Sequence, residues 1–436
     1  MSEKVKALII TYYWPPSGGA GVQRWLKMTK YFRNYYVEPV IYTAANPDMA
    51  LQDPSLLTEI PADVQVIKYP VWEPYDLYRK FLGKKKSESV NQGFISETKK
   101  SGLLEKFAVW VRGNFFIPDA RKFWIKPSVK FLLQYLRENP VDVIVSTGPP
   151  HSMHMIALAL KQQTGLPWVA DFRDPWTNID FYDQLHLSKW ADKKHHKLEQ
   201  QVLQNADSVA TVSNSWANDF RSLGRAQVEV ITNGFDAADF PDGNVDMMPG
   251  FVLHHIGSMN KDRNPHMLWQ VLGDLCKSHP DFNADLKIRL TGKNDYTVLE
   301  SLRNSNLMNQ TEIVDYLPHD SIVKQVPASA VLLLPLNDTL NVSGVIPGKL
   351  FEYLAAKRPI LCIGDVSGDA AQIIKDCNAG YTCGFNDAEG IRNVLLQLYS
   401  DYKHKTLIVQ SRNIENYTRS GGAKKFAAIM HQLVKH

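Results

Sequence analysis

The chain has 436 residues, of which 44% are hydrophobic and 22% charged, and its formal net charge is +4. That length suggests two to three domains with a core that needs no staples, and so mild a charge does not by itself imply nucleic-acid binding. The four cysteines, Cys276, Cys362, Cys377 and Cys383, show no CxxC spacing, which argues against a zinc site or a disulfide framework and fits a reducing cytoplasm.

The N-terminal stretch MSEKVKALIITYYWPP has too short an apolar run for a signal peptide and enters a strand at once. No run of 18 apolar residues follows, so no membrane span is expected. Strand-like runs near 6–13, 37–43, 64–69, 142–147, 168–172, 208–213 and 228–232 alternate with amphipathic segments such as GVQRWLKMTKYFRN and HSMHMIALALKQQTG. A second series has strands near 251–257, 286–291, 312–316, 331–335 and 359–363, and between them a helix that places Met267, Leu268, Val271, Leu272 and Leu275 on one face. Short apolar strands separated by helices predict parallel sheets covered on both faces. The break at 234–250 is rich in Gly, Pro and Asp. The expectation is an α/β chain of two doubly wound, Rossmann-like domains, 1–240 and 241–415, with a helix over 416–436 packing back on the first. Ligands in such sheets bind beyond the carboxyl ends of the strands, so an interdomain cleft is the expected site.

Residues 72–130 interrupt the alternation. Between Arg79 and Lys130 stand 13 Lys/Arg against 4 Asp/Glu, with Phe107, Trp110, Phe115 and Phe116 among them. Cations with large aromatics suit an anionic membrane surface. A solvated helical insertion whose aromatics pack on the domain is the alternative. Nucleic acid ranks below both because no binding module accompanies the charge.

Several strand ends carry chemistry. The loop YYWPPSGGAGVQRW has Gly18, Gly19 and Gly21, which permit close backbone approach and positive φ. It is not GxGxxG, and no acidic residue ends the following strand, which disfavours a nicotinamide site. STGPPHS at 146–152 sets His151 at a helix start, as a cap or as a base. DFRDPW at 171–176 sets Asp171, Arg173 and Asp174 where they could orient hydroxyls, bind a phosphate, or simply close a loop. In the second half, HHIGSMNKDRNP brings Lys261 and Arg263 before a helix whose first position reads as Pro265. LTGK and VDYLP end further strands, and Tyr316 in the latter could meet a base or ribose. The segment GVIPGKLFEYLAAK at 344–357 is the richest. Gly348 and Lys349 open a helix whose unpaired N–H groups favour an anion, and Glu352, about one turn on, could accept two hydrogen bonds from a ribose diol. Diphosphate and ribose recognised together describe a nucleotide-sugar pocket.

In this order the pieces resemble the retaining nucleotide-sugar glycosyltransferases of family four, which have the GT-B fold. STGPPHS, DFRDPW and NGFD resemble a bacterial subgroup acting on cell-surface polysaccharides. The resemblance implies transfer from a nucleoside diphosphate sugar to a lipid-linked or glycan acceptor, with the departing phosphate assisting acceptor deprotonation. No DxD-type acidic motif ends a strand, so no metal and no cofactor is expected, and Lys261, Arg263, Lys349 and a helix N-terminus would balance the diphosphate. The family's ribose-binding Glu falls on Glu352. Its second Glu, eight residues earlier, is Gly344 here, and backbone groups around Ile346–Lys349 would substitute. The family's Arg in the basic loop falls on Ser258, and its first-domain His falls on or near Arg173. Three rivals remain: a nucleotide-sugar epimerase on the same architecture, a non-catalytic nucleotide- or glycan-binding homologue, and a membrane-surface scaffold acting through 72–130. The expected location is the cytoplasm, at the inner face of the membrane if 72–130 binds lipid.

Overall fold

The structure, a computed structural model, describes residues 4–48, 51–73, 103–179, 182–225, 227–240, 245–315, 317–407 and 409–435. Of the insertion at 72–130, residues 74–102 therefore lie outside the described residues, as does Tyr316. Contacts divide the chain into one unit of Met1–Thr232 with Arg419–His436, and a second of Asn233–Thr418.

In the first unit the strands are β1 (Val5–Ile10), β2 (Val37–Ala44), β3 (Gln65–Tyr69), β4 (Val143–Gly148), β5 (Trp168–Phe172), β6 (Ser208–Thr211) and β7 (Glu229–Val230). They form one parallel sheet in the order β3-β2-β1-β4-β5-β6-β7. Its helices are α1 (Ala20–Thr29), α2 (Leu103–Phe115), α3 (Lys122–Glu138), α4 (Ser152–Thr164), α5 (Lys189–Asn205) and α6 (Asn214–Ser222). The first strand ends at Ile10 rather than at residue 13, which frees Thr11–Gly19 to form the glycine loop. Side chains alternate across a strand, and both faces are covered. Leu8 and Ile10 pack with Trp124, Leu132 and Met153, while Val5, Ala7 and Ile9 pack with Trp25, Leu26 and Phe426 on the other face.

The second unit holds β8 (Phe251–Ile256), α7 (His266–Ser278), α8 (Pro280–Asp285), β9 (Leu286–Thr291), α9 (Tyr296–Asn304), β10 (Thr311–Val314), α10 (His319–Gln325), β11 (Val331–Pro335), α11 (Gly348–Ala356), β12 (Ile360–Ile363), α12 (Asp369–Asp376), β13 (Gly380–Cys383) and α13 (Ala388–Lys403). Its parallel sheet runs β10-β9-β8-β11-β12-β13. The strand GYTC at 380–383 is absent from the sequence reading; its exposed Tyr381 and lone buried Cys383 give no strand-like run. Pro265 is the N-cap of α7, and the helix begins at His266. The last helix, α14 (Arg419–Val434), belongs to the first unit. There Phe426 lies 4.9 Å from Trp25, ring to ring, with the Arg24 guanidinium 5.4 Å over it.

In each sheet the chain departs to one side after one central strand and to the other side after its neighbour: β1 and β4 in the first unit, β8 and β11 in the second. Doubly wound sheets open a crevice at the carboxyl ends of such a pair. The glycine loop and STGPPHS stand at the first crevice, and residues 257–263 and 336–347 at the second.

Candidate functional site

In the second unit, β8 ends at Ile256 and the chain turns on Gly257 with φ +101°. A Cβ there would sit 3.0 Å from the Lys349 ammonium, so the glycine allows both the backbone turn and the approach of the lysine. Lys349 stands in the first turn of α11, whose N-cap, Pro347, offers no side-chain hydrogen bond. Its Nζ is 3.4 Å from Nε2 of His255. Nδ1 of that ring lies 3.1 Å from the Leu333 carbonyl and donates to it, which leaves Nε2 as the acceptor. Arg263 is held by Asn337 Oδ1 at 2.9 Å and by the Ser258 carbonyl at 3.1 Å. Tyr353 ties α11 to the sheet, with its hydroxyl 3.1 Å from the Ile256 N–H and 3.4 Å from the Leu333 carbonyl.

The electrostatics follow from this packing. Burial, then the nearby Arg263 charge, push the Lys349 pKa down to about 7, with Glu352 pulling the other way. His255 is held well below the usual imidazole range, first by burial and next by Lys349. The site thus crowds one guanidinium and one poorly solvated lysine beside a partly buried carboxylate, an arrangement that an arriving polyanion would relieve.

Arg263 and Glu352 both lie within electrostatic reach of Lys349, Ser258 gives its carbonyl to Arg263, and Gly348 is exposed at the start of α11. Lys261 does not join them. It is exposed and lines a different cavity of about 250 Å³, with Asn264, His266, Leu336 and Asp338. Gly344 is buried in a short 3-10 turn, Val342–Gly344.

In the first unit, Asp171 corrects the sequence reading. It is 0% exposed and takes two hydrogen bonds from Arg24 at 2.9 and 3.1 Å, one from Trp25 Nε1 at 2.8 Å and one from the Thr147 hydroxyl at 2.9 Å. A carboxylate so enclosed and saturated fastens α1 to the sheet and has no capacity left for a substrate. Arg173 is likewise spent on the scaffold. It donates to the carbonyls of Gly21, Gly148 and Pro149, joining the glycine loop to the STGPPHS turn, and lies 5.3 Å over the Tyr13 ring. At Gly21 the close neighbours are Tyr13 and Arg173, at Gly18 they are Leu51 and Asp53, and Gly19 has φ +89°. Among the described residues these glycines accommodate their own chain.

His151 and Asp174 do line a cavity, of about 280 Å³, together with Arg112, Phe116, Trp176 and Tyr182. The His151 ring stacks flat on Trp176, with centroids 4.4 Å apart and planes at 3°. Burial, then His154, holds His151 neutral, well below the usual imidazole range. His154, one helical turn on, is absent from the sequence reading, although the spacing HSMH sets two imidazoles on one face of a helix. His255 was equally readable as a polar residue two before the strand-end glycine. Trp176 and Asn337 had no comparable signal, since their roles depend on contacts distant in sequence.

Residues 115–234 match the family model described as a glycosyl transferase 4-like domain, and residues 250–401 match the one described as glycosyl transferases group 1. No curated protein sequence matches the chain. Among solved structures, sucrose-phosphate synthase from Thermosynechococcus elongatus is similar with a TM-score of 0.61 at 13% identity, covering 99% of each chain. A point mutant of TarM of S. aureus, in complex with fondaparinux, α-GlcNAc-glycerol and UDP, has a TM-score of 0.59 at 11% identity and covers 98% of this chain and 99% of its own. HepE of Anabaena, in complex with UDP-glucose, has a TM-score of 0.54 at 12% identity, with 99% and 98% covered. These likenesses establish the GT-B fold, and with the two domain matches they support a glycosyltransferase.

Proposed function

We propose, from the premise of a GT-B glycosyltransferase, that this chain moves a sugar from a nucleoside diphosphate sugar to a lipid-linked or glycan acceptor, with retention of anomeric configuration and without a divalent metal, in cell-surface polysaccharide synthesis. The observation that carries the reading is the meeting of Arg263, Lys349 and Glu352 around Gly257 at the start of α11. In this reading Lys349, Arg263 and the first N–H groups of α11 take the diphosphate, and Glu352 takes the ribose hydroxyls. Preorganised cations act where charge grows on the leaving phosphate, and losing one such contact costs on the order of 100-fold in rate. In this reading the protein's own cations, Lys349 and Arg263, balance that charge. Backbone groups around Ile346–Lys349 stand in for the carboxylate missing at Gly344. The first domain receives the acceptor in the cavity beside His151 and Asp174, and the departing phosphate assists its deprotonation.

The test is incubation with a panel of nucleoside diphosphate sugars and a lipid-linked glycan extract, in EDTA, with products read by NMR. Acceptor-dependent release of nucleoside diphosphate and a product of the donor's anomeric configuration are expected. Donor conversion without any acceptor would mark an epimerase instead. The departures at Gly344 and Ser258 favour one further rival, a homologue that binds nucleotide without chemistry, and binding with no turnover would select it.

A location at the inner face of the membrane belongs to the same proposal. Phe107, Trp110 and Phe115 of α2 are exposed, as are Trp72 and Phe123, and Lys122 lies 5.0 Å over the Phe123 ring. Among the described residues no helix is long and apolar enough to cross a membrane.

A further inference from the structure

The first unit carries a basic and aromatic helix face that lies outside residues 72–130. In α5, Trp190, Lys193, Lys194 and Lys197 recur at the spacing i, i+3, i+4 and i+7, which sets them on one stripe of the helix. All four are exposed, Trp190 by 63%. The opposite side of the helix, with Ala191, His195, Glu199 and Val202, is buried in the domain. Between Lys189 and Leu198 the only acid is Asp192, which stands off the stripe. It accepts from the Tyr182 hydroxyl at 3.0 Å and lies 3.2 Å from His196. The Lys194 ammonium stands 4.8 Å over the Trp190 ring, so cation and aromatic are held together.

This stripe joins the exposed aromatics of α2. The start of α5 is tied to the end of α2, where Asn114 Oδ1 accepts from the Ser188 N–H at 2.7 Å. Beside it Leu187 packs on the bare Cα of Gly113, where a Cβ would fall 2.8 Å from Leu187 Cδ2. The next residue, Phe115, gives its carbonyl to Lys122 Nζ, and that ammonium lies 5.0 Å over the Phe123 ring. Lys122 and Lys194 stand within electrostatic reach, since burial and then the Lys194 charge hold the Lys122 pKa below its ordinary value. Phe123, Lys122, Phe115, Lys194 and Trp190 thus follow one another across three helices, and an anionic surface laid on them would relieve the repulsion between the two ammoniums. The inner sides of the same elements wall the cavity beside His151, with Arg112, Gly113 and Phe116 on the α2 side and Tyr182, Leu185 and His195 on the α5 side. Outer face and cavity are separated by about one helix diameter, roughly 10 Å.

We propose that α5 adds its lysine stripe to the α2–α3 surface, that the joined surface docks on an anionic bilayer, and that the acceptor is the lipid-linked kind, presented from that bilayer to the cavity behind it. The choice of acceptor rests on the glycosyltransferase reading; the docking surface does not. Lysine ammoniums reach the headgroups while tryptophan and phenylalanine rings enter the boundary with the acyl chains. A soluble polyanion would use the lysines and leave the rings in water. An acceptor anchored in the bilayer is held near the cavity by the docking itself, whereas a free glycan gains nothing from it.

The test is co-sedimentation of the full chain with vesicles of phosphatidylcholine, alone or with about one third phosphatidylglycerol. Binding is expected with the anionic vesicles and not with the neutral ones. The triple variant Lys193→Ser, Lys194→Ser, Lys197→Ser should weaken it by roughly fivefold per lysine at low salt. Trp190→Ser should weaken it by at least about threefold. Because the four side chains are exposed, both variants should melt within about 2 °C of wild type. Vesicle binding that both variants leave unchanged overturns the α5 surface. Retention on RNA with none on vesicles would give the lysines to nucleic acid and overturn it equally. In turnover assays the lipid-linked glycan extract in anionic vesicles is compared with the same glycans released by mild acid. Wild type should show an acceptor KM at least about tenfold lower for the lipid-linked form. The triple variant should lose that advantage, with kcat and the KM for released glycans unchanged. Released glycans used as well as the lipid-linked form would overturn the acceptor assignment. Should neither be used, the glycosyltransferase reading fails while vesicle binding still decides the surface.

Discussion

At the residue scale, Lys349 links nucleotide binding to pH. Its pKa is pushed down to about 7 by burial and Arg263, against the pull of Glu352. A bound diphosphate would raise it. A group whose pKa rises on binding contributes affinity that is complete below its free-state pKa and is lost as pH climbs to the bound-state value. Nucleoside diphosphate affinity should therefore fall above about pH 7, by roughly tenfold per unit, and calorimetry from pH 7 to 9 reads it. The groups facing this ammonium are His255 from β8, Arg263 from the loop before α7, and Glu352 from α11 itself. A Lys349→Met variant should bind weakly with no such slope. An unchanged slope would assign the titration elsewhere. Asp171 makes the opposite case, a carboxylate that the sequence offered for chemistry and the structure spends on the scaffold. Asp171→Asn breaks a buried pair with Arg24, a loss of about 3–5 kcal/mol, so urea denaturation should show a large drop in the unfolding midpoint. Full stability with lost turnover would restore a catalytic role.

At the scale of elements, α14 is a separate stretch of sequence that completes the first unit's core. Phe426 inserts among Trp25, Leu26 and Phe32, and Phe426→Ala should cost about 3–5 kcal/mol. A denaturation midpoint indistinguishable from wild type would mean the helix is not part of that core. The helix α2 has the opposite character. Its Phe107, Trp110 and Phe115 are exposed, with Trp110 6.0 Å from Phe107 and 5.7 Å from Phe115. Replacing all three by Ser should cut binding to vesicles containing anionic lipid by at least about fivefold, and salt should weaken what remains. Co-sedimentation that the triple substitution leaves unaltered would dismiss the membrane role.

At the scale of the whole molecule, the architecture was legible because a buried parallel strand is written as a short apolar run. Of the thirteen strands among the described residues, twelve lie where the sequence reading placed a strand, although β3, β7 and β10 at the sheet edges hold no fully buried residue, whereas β13 showed only GYTC, with Tyr381 exposed. The gathering of Arg263, Lys349 and Glu352 was legible for a related reason. Lys349 and Glu352 share a helix start, and Arg263 stands in the loop after a central strand, so local spacing and topology suffice to join them. Asp171 and Arg173 misled because the groups that satisfy them come from Arg24, Trp25, Thr147 and Gly21, up to 152 residues away in sequence. Lys261 and Arg263 looked equivalent as neighbours in one loop. A short 3-10 turn capped by Asn260 sends them to different surroundings. A residue's availability depends on who has already bonded to it, and that information is distributed along the chain.

The most direct measurement is calorimetric titration of the intact protein with UDP, GDP, ADP, CDP and dTDP in EDTA at pH 7, repeated for Lys349→Ala and Glu352→Ala. Binding of one of these nucleotides without metal, weakened at least about tenfold by either substitution, is the predicted result. Affinity that survives both substitutions unchanged would contradict the placement of the donor at the start of α11.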